Sequence, residues 1–237
     1  MFSIGIVDIT TVGSTICQRR ISELGGAKGE HPEFVVHSLP FSEYRACVMT
    51  QNWPMMAKLV LTSIAQLSKC NVDFIIIPSN TPHYAYELFS EKSPIPILHL
   101  IQLSAQACQK ANLKKVAVLG TKATMNGGLY AKPFEELGIE LVLPNDAICK
   151  AIDQFIMEAI IPDKVEESQR REILAMIQTI EADGFVLACT ELPEVFCSKE
   201  IGKIAIDTTR TLAEIAFDLA TKKDKTFLAK LCQKIEL

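Results

Sequence analysis

The chain has 237 residues, 49% of them hydrophobic and 22% charged, with a formal net charge of −4. This is ordinary globular composition, long enough for one large core or two smaller ones. No basic cluster of the kind nucleic acid requires is present, and no apolar run approaches the roughly 18 residues of a membrane span, so neither partner is expected.

Met1-Phe2-Ser3-Ile4-Gly5-Ile6-Val7 lacks a basic n-region and reads as a first strand rather than a signal peptide, so a cytoplasmic location is expected. The cysteines at 17, 47, 70, 108, 149, 189, 197 and 232 are scattered through apolar stretches, without a C-x-x-C pair or a neighbouring histidine. That spacing suits neither a disulfide framework nor zinc, and no metal site is expected. Most of these cysteines read as buried, inert thiols.

In chain order, Ser3–Val7 reads as a strand, Asp8–Ser14 as a loop of small residues and Thr15–Glu23 as a helix. Phe34–Val36 is a second strand, followed by a polar loop that carries Glu43, Tyr44 and Arg45. Apolar residues at helical spacing (Met56, Leu59, Val60, Ile64, Leu67) predict a long helix over Met55–Lys69. Strand Asp73–Ile77, loop Ser79–His83, a helix around Tyr84–Phe89 and strand Ile95–His99 follow. After helix Gln102–Ala111 come strand Val116–Leu119, helix Leu129–Leu137 and strand Glu140–Leu143. Helices Ala147–Ile160 and Glu166–Glu181 lead into Phe185–Ala188, a buried strand stopped by polar residues and Pro193. A short helix from Glu194, strand Ile204–Ile206 and helix Thr208–Ala220 complete the pattern.

Strands alternating with helices predict parallel sheets with right-handed crossovers. The order strand, helix, strand, long helix, strand recurs. It predicts two similar α/β halves, residues 1–100 plus 208–237 and residues 101–207, with a cleft between them. No Gly/Ser-rich or Pro-rich linker marks the boundary.

Open α/β folds place ligands at the carboxyl ends of their strands. Two such ends stand out: Ile77-Pro78-Ser79-Asn80-Thr81-Pro82-His83 and Leu187-Ala188-Cys189-Thr190-Glu191. With Thr10, Arg45, Thr121, Thr124, Asp207 and Thr208 they supply many hydroxyls and amides, one guanidinium and one thiol. No P-loop or G-x-G-x-x-G occurs. The set suits a small carboxylate, and a thiol of lowered pKa could serve there as nucleophile or base. The plainer reading is that Thr and Ser cap helices, and it is preferred for Thr15, Ser104 and Thr208. For Asn80, Thr81 and Thr190 both readings stand. His83 could merely satisfy a buried carbonyl, Asp207 reads as a loop cap, and Glu191 is either an exposed first-turn acid or a partner of Cys189.

Ser79-Asn80-Thr81-Pro82-His83 resembles the C-N-T-x-H motif, and Ala188-Cys189-Thr190-Glu191 the G-C-T-E motif, of the aspartate/glutamate racemase superfamily. Ile4-Gly5-Ile6, Thr15, Arg19-Arg20-Ile21, His31-Pro32, Gly120-Thr121-x-x-Thr124 and Ile206-Asp207 fall where that family has similar residues. The resemblance covers nearly the whole chain. It implies two pseudo-symmetric, Rossmann-like domains with mainly parallel sheets and an active-site cleft between them. It also implies a homodimer and amino-acid racemisation without a cofactor, two thiols flanking the Cα of an acidic amino acid.

On that resemblance the catalytic positions are Cys189 and Ser79, and Thr10, Arg45, Asn80, Thr81, Thr121, Thr124 and Thr190 hold the substrate. Arg45 matches a side-chain-carboxylate arginine, whereas the assisting lysine aligns with Ile161, with Lys164 three residues on. The first catalytic cysteine is replaced by Ser79, a far weaker acid without an evident activating base. Asp8-Ile9-Thr10 stands where the family usually has Gly-Gly-Met and brings negative charge. Two alternatives remain: a single-cysteine decarboxylase or isomerase of small dicarboxylates, and a carboxylate-binding protein of little activity.

Overall fold

The computed structural model describes residues 1–126 and 128–226. Cys232 and positions 227–237 of the expected first domain lie outside the described residues. The chain divides into two compact units, Met1–Leu100 with the chain from Thr209, and Ile101–Thr208.

In the first unit, strands β1 (Ile4–Asp8), β2 (Phe34–Ser38) and β3 (Phe74–Ile76) form a parallel sheet in the order β2-β1-β3. Every residue of β1 and β3 is buried, whereas the edge strand β2 is half-buried. Continuous apolar runs are what a parallel sheet covered on both faces demands. Helices α1 (Thr11–Lys28), α2 (Phe41–Met49), α3 (Trp53–Leu67) and α4 (Tyr86–Ser90) belong to this unit. The apolar face of α3 foreseen from its spacing packs with Val7, Ile75, Ile77 and Phe89.

The second unit carries α5 (Leu100–Lys110), which begins on the last residue of the first unit. Then come β4 (Lys115–Leu119), α6 (Lys122–Asn126), α7 (Ala131–Glu136), β5 (Glu140–Val142), α8 (Asp146–Phe155) and α9 (Glu167–Gln178). Strand β6 (Gly184–Leu187), α10 (Leu192–Val195), α11 (Ser198–Ile201) and β7 (Ile204–Asp207) follow. Its parallel sheet has the order β5-β4-β6-β7, over a core that includes Leu119, Ile152, Phe155, Ile177, Phe185 and Phe196. Helix α12 (Thr208–Lys222) returns to the first unit, where Arg20 pairs with Glu214 and Lys28 with Asp218.

Both sheets seat their earliest strand inside, the next on one flank and the third on the other. Where the second sheet adds β7, the first has one parallel bridge, Ile75 to Ile97. A strand was expected over Ile95–His99. The Ile75 N–H donates to the Pro96 carbonyl at 2.8 Å, and the Leu98 N–H donates to the Ile75 carbonyl at 2.9 Å. Pro94 and Pro96 have no N–H with which to extend the ladder further.

Other expectations are corrected. Helix α1 starts at Thr11 rather than Thr15, because the Thr10 hydroxyl caps it by accepting the Gly13 N–H at 3.4 Å. It runs on to Gly29, whose φ of 70° closes it. The stretch read as a polar loop is helix α2, which buries Tyr44 and Cys47. One π turn, Ile156–Ile160, continues α8. The short helices α6 and α11 were not foreseen.

Gly184 opens β6, the strand that leads to Cys189. A Cβ there would lie 2.7 Å from Leu113 and 2.8 Å from the Ile204 carbonyl oxygen. Since a backbone carbonyl yields only by moving its strand, Gly184→Ala is expected to destabilise the protein by about 1–3 kcal/mol. Urea unfolding followed by circular dichroism measures this, and an unchanged midpoint would contradict the crowding.

Candidate active site

In the first unit the register pairs Ile4 with Phe74 and Ile6 with Ile76, so the carboxyl ends of β1 and β3 reach one edge of the sheet. The β1 end supplies Asp8 and Thr10. Asp8 is 6% exposed and its Oδ1 has no hydrogen-bond partner among the described residues. Thr10 is half-buried, and its hydroxyl is engaged in capping α1. The β3 end supplies Ser79, Asn80 and Thr81. The Ser79 N–H donates to the Ile77 carbonyl at 2.8 Å, Asn80 is buried, and Thr81 opens the 3-10 turn Thr81–Ala85. The buried His83 ring lies 2.9 Å from the Ser79 carbonyl oxygen, as its carbonyl-satisfying reading required. Arg45 is not drawn into this edge by a contact: it is exposed on α2 with no ion pair among the described residues.

In the second unit β4 and β6 run side by side in register, Leu119 opposite Leu187, and the Ala188 N–H donates to the Leu119 carbonyl at 2.7 Å. Their ends therefore bring Thr121 and Thr124 beside Cys189 and Thr190. Gly120 permits this approach, since a Cβ there would sit 3.2 Å from the Ala188 carbonyl oxygen. The Thr121 and Thr124 hydroxyls are 3.3 Å apart, and the Thr124 N–H donates to the Thr121 carbonyl at 2.9 Å. Thr124 and Thr190 are buried. The Thr208 hydroxyl donates to the Leu187 carbonyl at 3.2 Å and ties the end of β7 to β6. Thr15 is exposed within α1 and Ser104 buried within α5, so neither caps its helix. Ile161 is 54% exposed just beyond the π turn.

The open question over Glu191 is decided. Its Oε2 accepts from the Cys189 thiol at 2.9 Å and from the Thr190 hydroxyl at 2.6 Å. Burial of the sulfur pushes the Cys189 pKa well above the ordinary thiol range, and the Glu191 carboxylate beside it adds to the rise. The backbone N–H groups of Glu191 and Leu192 act the other way. In the protein without ligand Cys189 is therefore a thiol with its proton aimed at a carboxylate. A lowered pKa is therefore not found in the protein without ligand: desolvation and a like charge outweigh the two amides.

Sequence reasoning left Asp8 as a departure from a pattern, whereas the structure shows a carboxylate buried at a strand end. Its only sequence signal was a charge directly after a buried strand. The two-position spacing of Cys189 and Glu191 did hint at their contact, because a chain turning sharply after a strand folds back on itself. Among the described residues no group of three or more His, Cys, Asp or Glu side chains could hold a metal ion, and no helix is long and apolar enough to cross a membrane.

A thiol of raised pKa reacts slowly with alkylating agents until the pH climbs past the free value of about 8.5. Site-resolved mass spectrometry of iodoacetamide labelling should show Cys189 lagging exposed Cys70 and Cys197. Removing the neighbouring negative charge favours the thiolate, so Glu191→Gln should move the Cys189 profile down by about one pH unit. A profile unmoved by that substitution would show that the carboxylate does not govern the thiol.

The profile of the Asp/Glu/hydantoin racemase family matches residues 4–216. A broad-specificity amino-acid racemase of Bacillus subtilis is 28% identical over 191 residues, which cover 78% of this chain and 80% of that one. A glutamate racemase of Sulfurihydrogenibium is 30% identical over 125 residues, and the alignment spans about half of each chain, 52% and 48%. Among solved structures, an aspartate racemase homologue from Pyrococcus horikoshii superposes with a TM-score of 0.80 at 27% identity, covering 93% of this chain and all of that one. The Picrophilus torridus aspartate racemase superposes with a TM-score of 0.72 at 22% identity over 93% and 95% of the two chains, a likeness of fold. With the family profile matched from β1 into α12, the chain belongs to the Asp/Glu/hydantoin racemase family.

Proposed function

We propose that this chain, an amino-acid racemase by family, inverts a small amino acid of the aspartate/glutamate type without a cofactor. In this reading Cys189 handles the Cα proton on one face and Ser79 on the other. The observation that carries it is the Cys189–Glu191 contact at the end of β6. A thiol can remove a Cα proton only after losing its own, and Glu191 Oε2 is the acceptor in reach. The resulting thiolate abstracts the Cα proton, and the carbanion is held by its carboxylate on the amides and hydroxyls of Asn80, Thr81, Thr121, Thr124 and Thr190. The Ser79 hydroxyl then returns a proton to the opposite face, the proton left on Glu191 reaches the Ser79 alkoxide through solvent to restore the resting protein, and the reverse direction runs the same steps backwards. Thr10 and Arg45 complete the substrate set carried over from the resemblance.

Asp8 refines the substrate. A buried carboxylate with an unpartnered oxygen repels an anion at its own strand end and suits an ammonium group. The two carboxylates of an acidic amino acid would then lie toward the hydroxyl-bearing ends, and an uncharged side chain would fit with less repulsion. The name of the Bacillus relative supports assaying both classes.

A specific observation favours a second reading, in which Cys189 works alone. Ser79 Oγ has no side-chain base hydrogen-bonded to it among the described residues. A single base serves one face, so this version predicts Cα exchange with retention or formation of one enantiomer.

Incubating both enantiomers of Asp, Glu and several neutral amino acids in D2O, with NMR and chiral chromatography, separates these readings. Exchange with loss of chirality is expected for at least one substrate, with Cys189→Ser abolishing it. Ser79→Cys should raise inversion by about 10²-fold or more, the usual worth of a matched general acid or base. Absence of exchange from every enantiomer, in the parent protein and in Ser79→Cys alike, would remove the racemase assignment. The homodimer belongs to the same proposal, supported by the exposed Phe41, Met49 and Met55 of α2 and α3. Equilibrium sedimentation giving the mass of one chain, 26.2 kDa, would dismiss it.

A further inference from the structure

We infer that His83 is a positioning residue for Ser79: a neutral imidazole whose two nitrogens lock the loop after β3 and so fix the direction in which the Ser79 side chain leaves the backbone. This rests on the reading that Ser79 faces the substrate, but the geometry behind it is independent of any substrate.

The tautomer follows from the partners. The Leu100 N–H donates to His83 Nε2 at 3.3 Å, so Nε2 carries the lone pair. Nδ1 must then carry the hydrogen, and it donates to the Ser79 carbonyl oxygen at 2.9 Å. A charged ring would lose the acceptor that the Leu100 amide uses. Burial keeps the ring neutral, lowering its pKa to about 4 against the opposing pull of the Ser79 and Asn80 backbone. The groups facing the ring are Tyr86, stacked at 5.8 Å between centroids, and His99, tilted at 5.2 Å.

The effect on Ser79 is geometric. Its N–H is fixed to the Ile77 carbonyl at 2.8 Å and its C=O to the His83 ring. Because each peptide unit is planar, the two bonds fix the planes on both sides of the Ser79 Cα, and the Cα–Cβ direction follows. In a trans peptide the N–H opposes the C=O, so anchoring the Ser79 carbonyl on the ring also turns the Asn80 N–H away from it. The His83 N–H donates to the Asn80 carbonyl at 3.0 Å, which closes the turn on itself. Leu100, the other end of the clamp, is the last residue of the first unit and the first of α5.

A thiol introduced by Ser79→Cys reports on this position without reference to turnover. In that background His83→Asn keeps an amide donor where Nδ1 stood, His83→Gln keeps an acceptor where Nε2 stood, and His83→Phe fills the volume with neither. Iodoacetamide labelling of the introduced thiol, resolved by mass spectrometry from pH 6 to 10, is expected to stay near the parent profile in His83→Asn. In His83→Gln and His83→Phe the rate should change about fivefold, as for loss of one hydrogen bond. Equal profiles in all three, with only the melting temperature lowered, would mean that the ring merely fills space and would overturn the inference.

Nitrogen-15 NMR of the unsubstituted protein gives a second check that needs no variant to fold. It should show a neutral, Nδ1-protonated His83 at pH 7; an Nε2-protonated ring would also overturn the clamp. If labelling behaves as expected but no amino acid exchanges its Cα proton, the clamp stands and the racemase reading fails. If exchange occurs while the three profiles coincide, the reverse holds.

Discussion

A sulfur and a carboxylate oxygen 2.9 Å apart at the end of a buried strand form the contact on which the chemical reading depends. The sulfur is partly buried, so the charged thiolate is costly there, and a neighbouring negative charge raises that cost. Yet the carboxylate that disfavours the thiolate is also positioned to receive its proton. In the proposed mechanism, once the proton has crossed to Glu191 the negative charge rests on sulfur alone, facing the Glu191 and Leu192 amides. Resting stability and reactivity are thus set by one proton with two possible homes, and a bound ammonium or carboxylate nearby can shift the balance between them.

The two strand-end loops reach order by different means. After β6 the ordering group is an acid that engages both the thiol and the Thr190 hydroxyl. After β3 it is backbone and imidazole, with Ser79 held by its own peptide groups and its hydroxyl without a side-chain base among the described residues. The difference fits the residues present. A thiol can be tuned by a neighbouring charge, because its pKa lies near enough to neutrality for a shift to matter. A serine hydroxyl is too weak an acid for that, and the useful contribution of its surroundings is direction.

Much of this was legible in the sequence because buried parallel strands are nearly uniform apolar runs. Phe74-Ile75-Ile76 and Phe185-Val186-Leu187 could be placed from composition alone, and the polar residues after each had to fall at a strand end. The helical spacing in α3 was equally plain. Helix α2 was missed because Glu43, Tyr44 and Arg45 look polar in isolation, although only Tyr44 and Cys47 needed to turn inward. Glu43 in its first turn was the overlooked sign. The start of α1 was misplaced because Gly13 and Ser14 argue for a loop unless Thr10 is recognised as the cap. Ile95–His99 failed as a strand for the opposite reason: its hydrophobicity was right, but two prolines left too few donors. No local pattern encodes the contact from Leu100 to His83, which joins residues 17 apart in sequence.

Asp8 shows why departures from a pattern carry information. A carboxylate at 6% exposure with an oxygen lacking any partner costs folding free energy, and an amide or an apolar residue would relieve it. Folding alone gives no reason to retain such a group at the carboxyl end of the central strand of a sheet. On the proposed function a ligand with a positive charge would, because it would pair the oxygen at the moment of binding and convert a defect of the empty protein into affinity. On the proposed function the same strand end disfavours the protein without ligand and favours an ammonium-bearing one. This is what an amino-acid racemase that must hold its substrate by groups other than the reacting carbon requires.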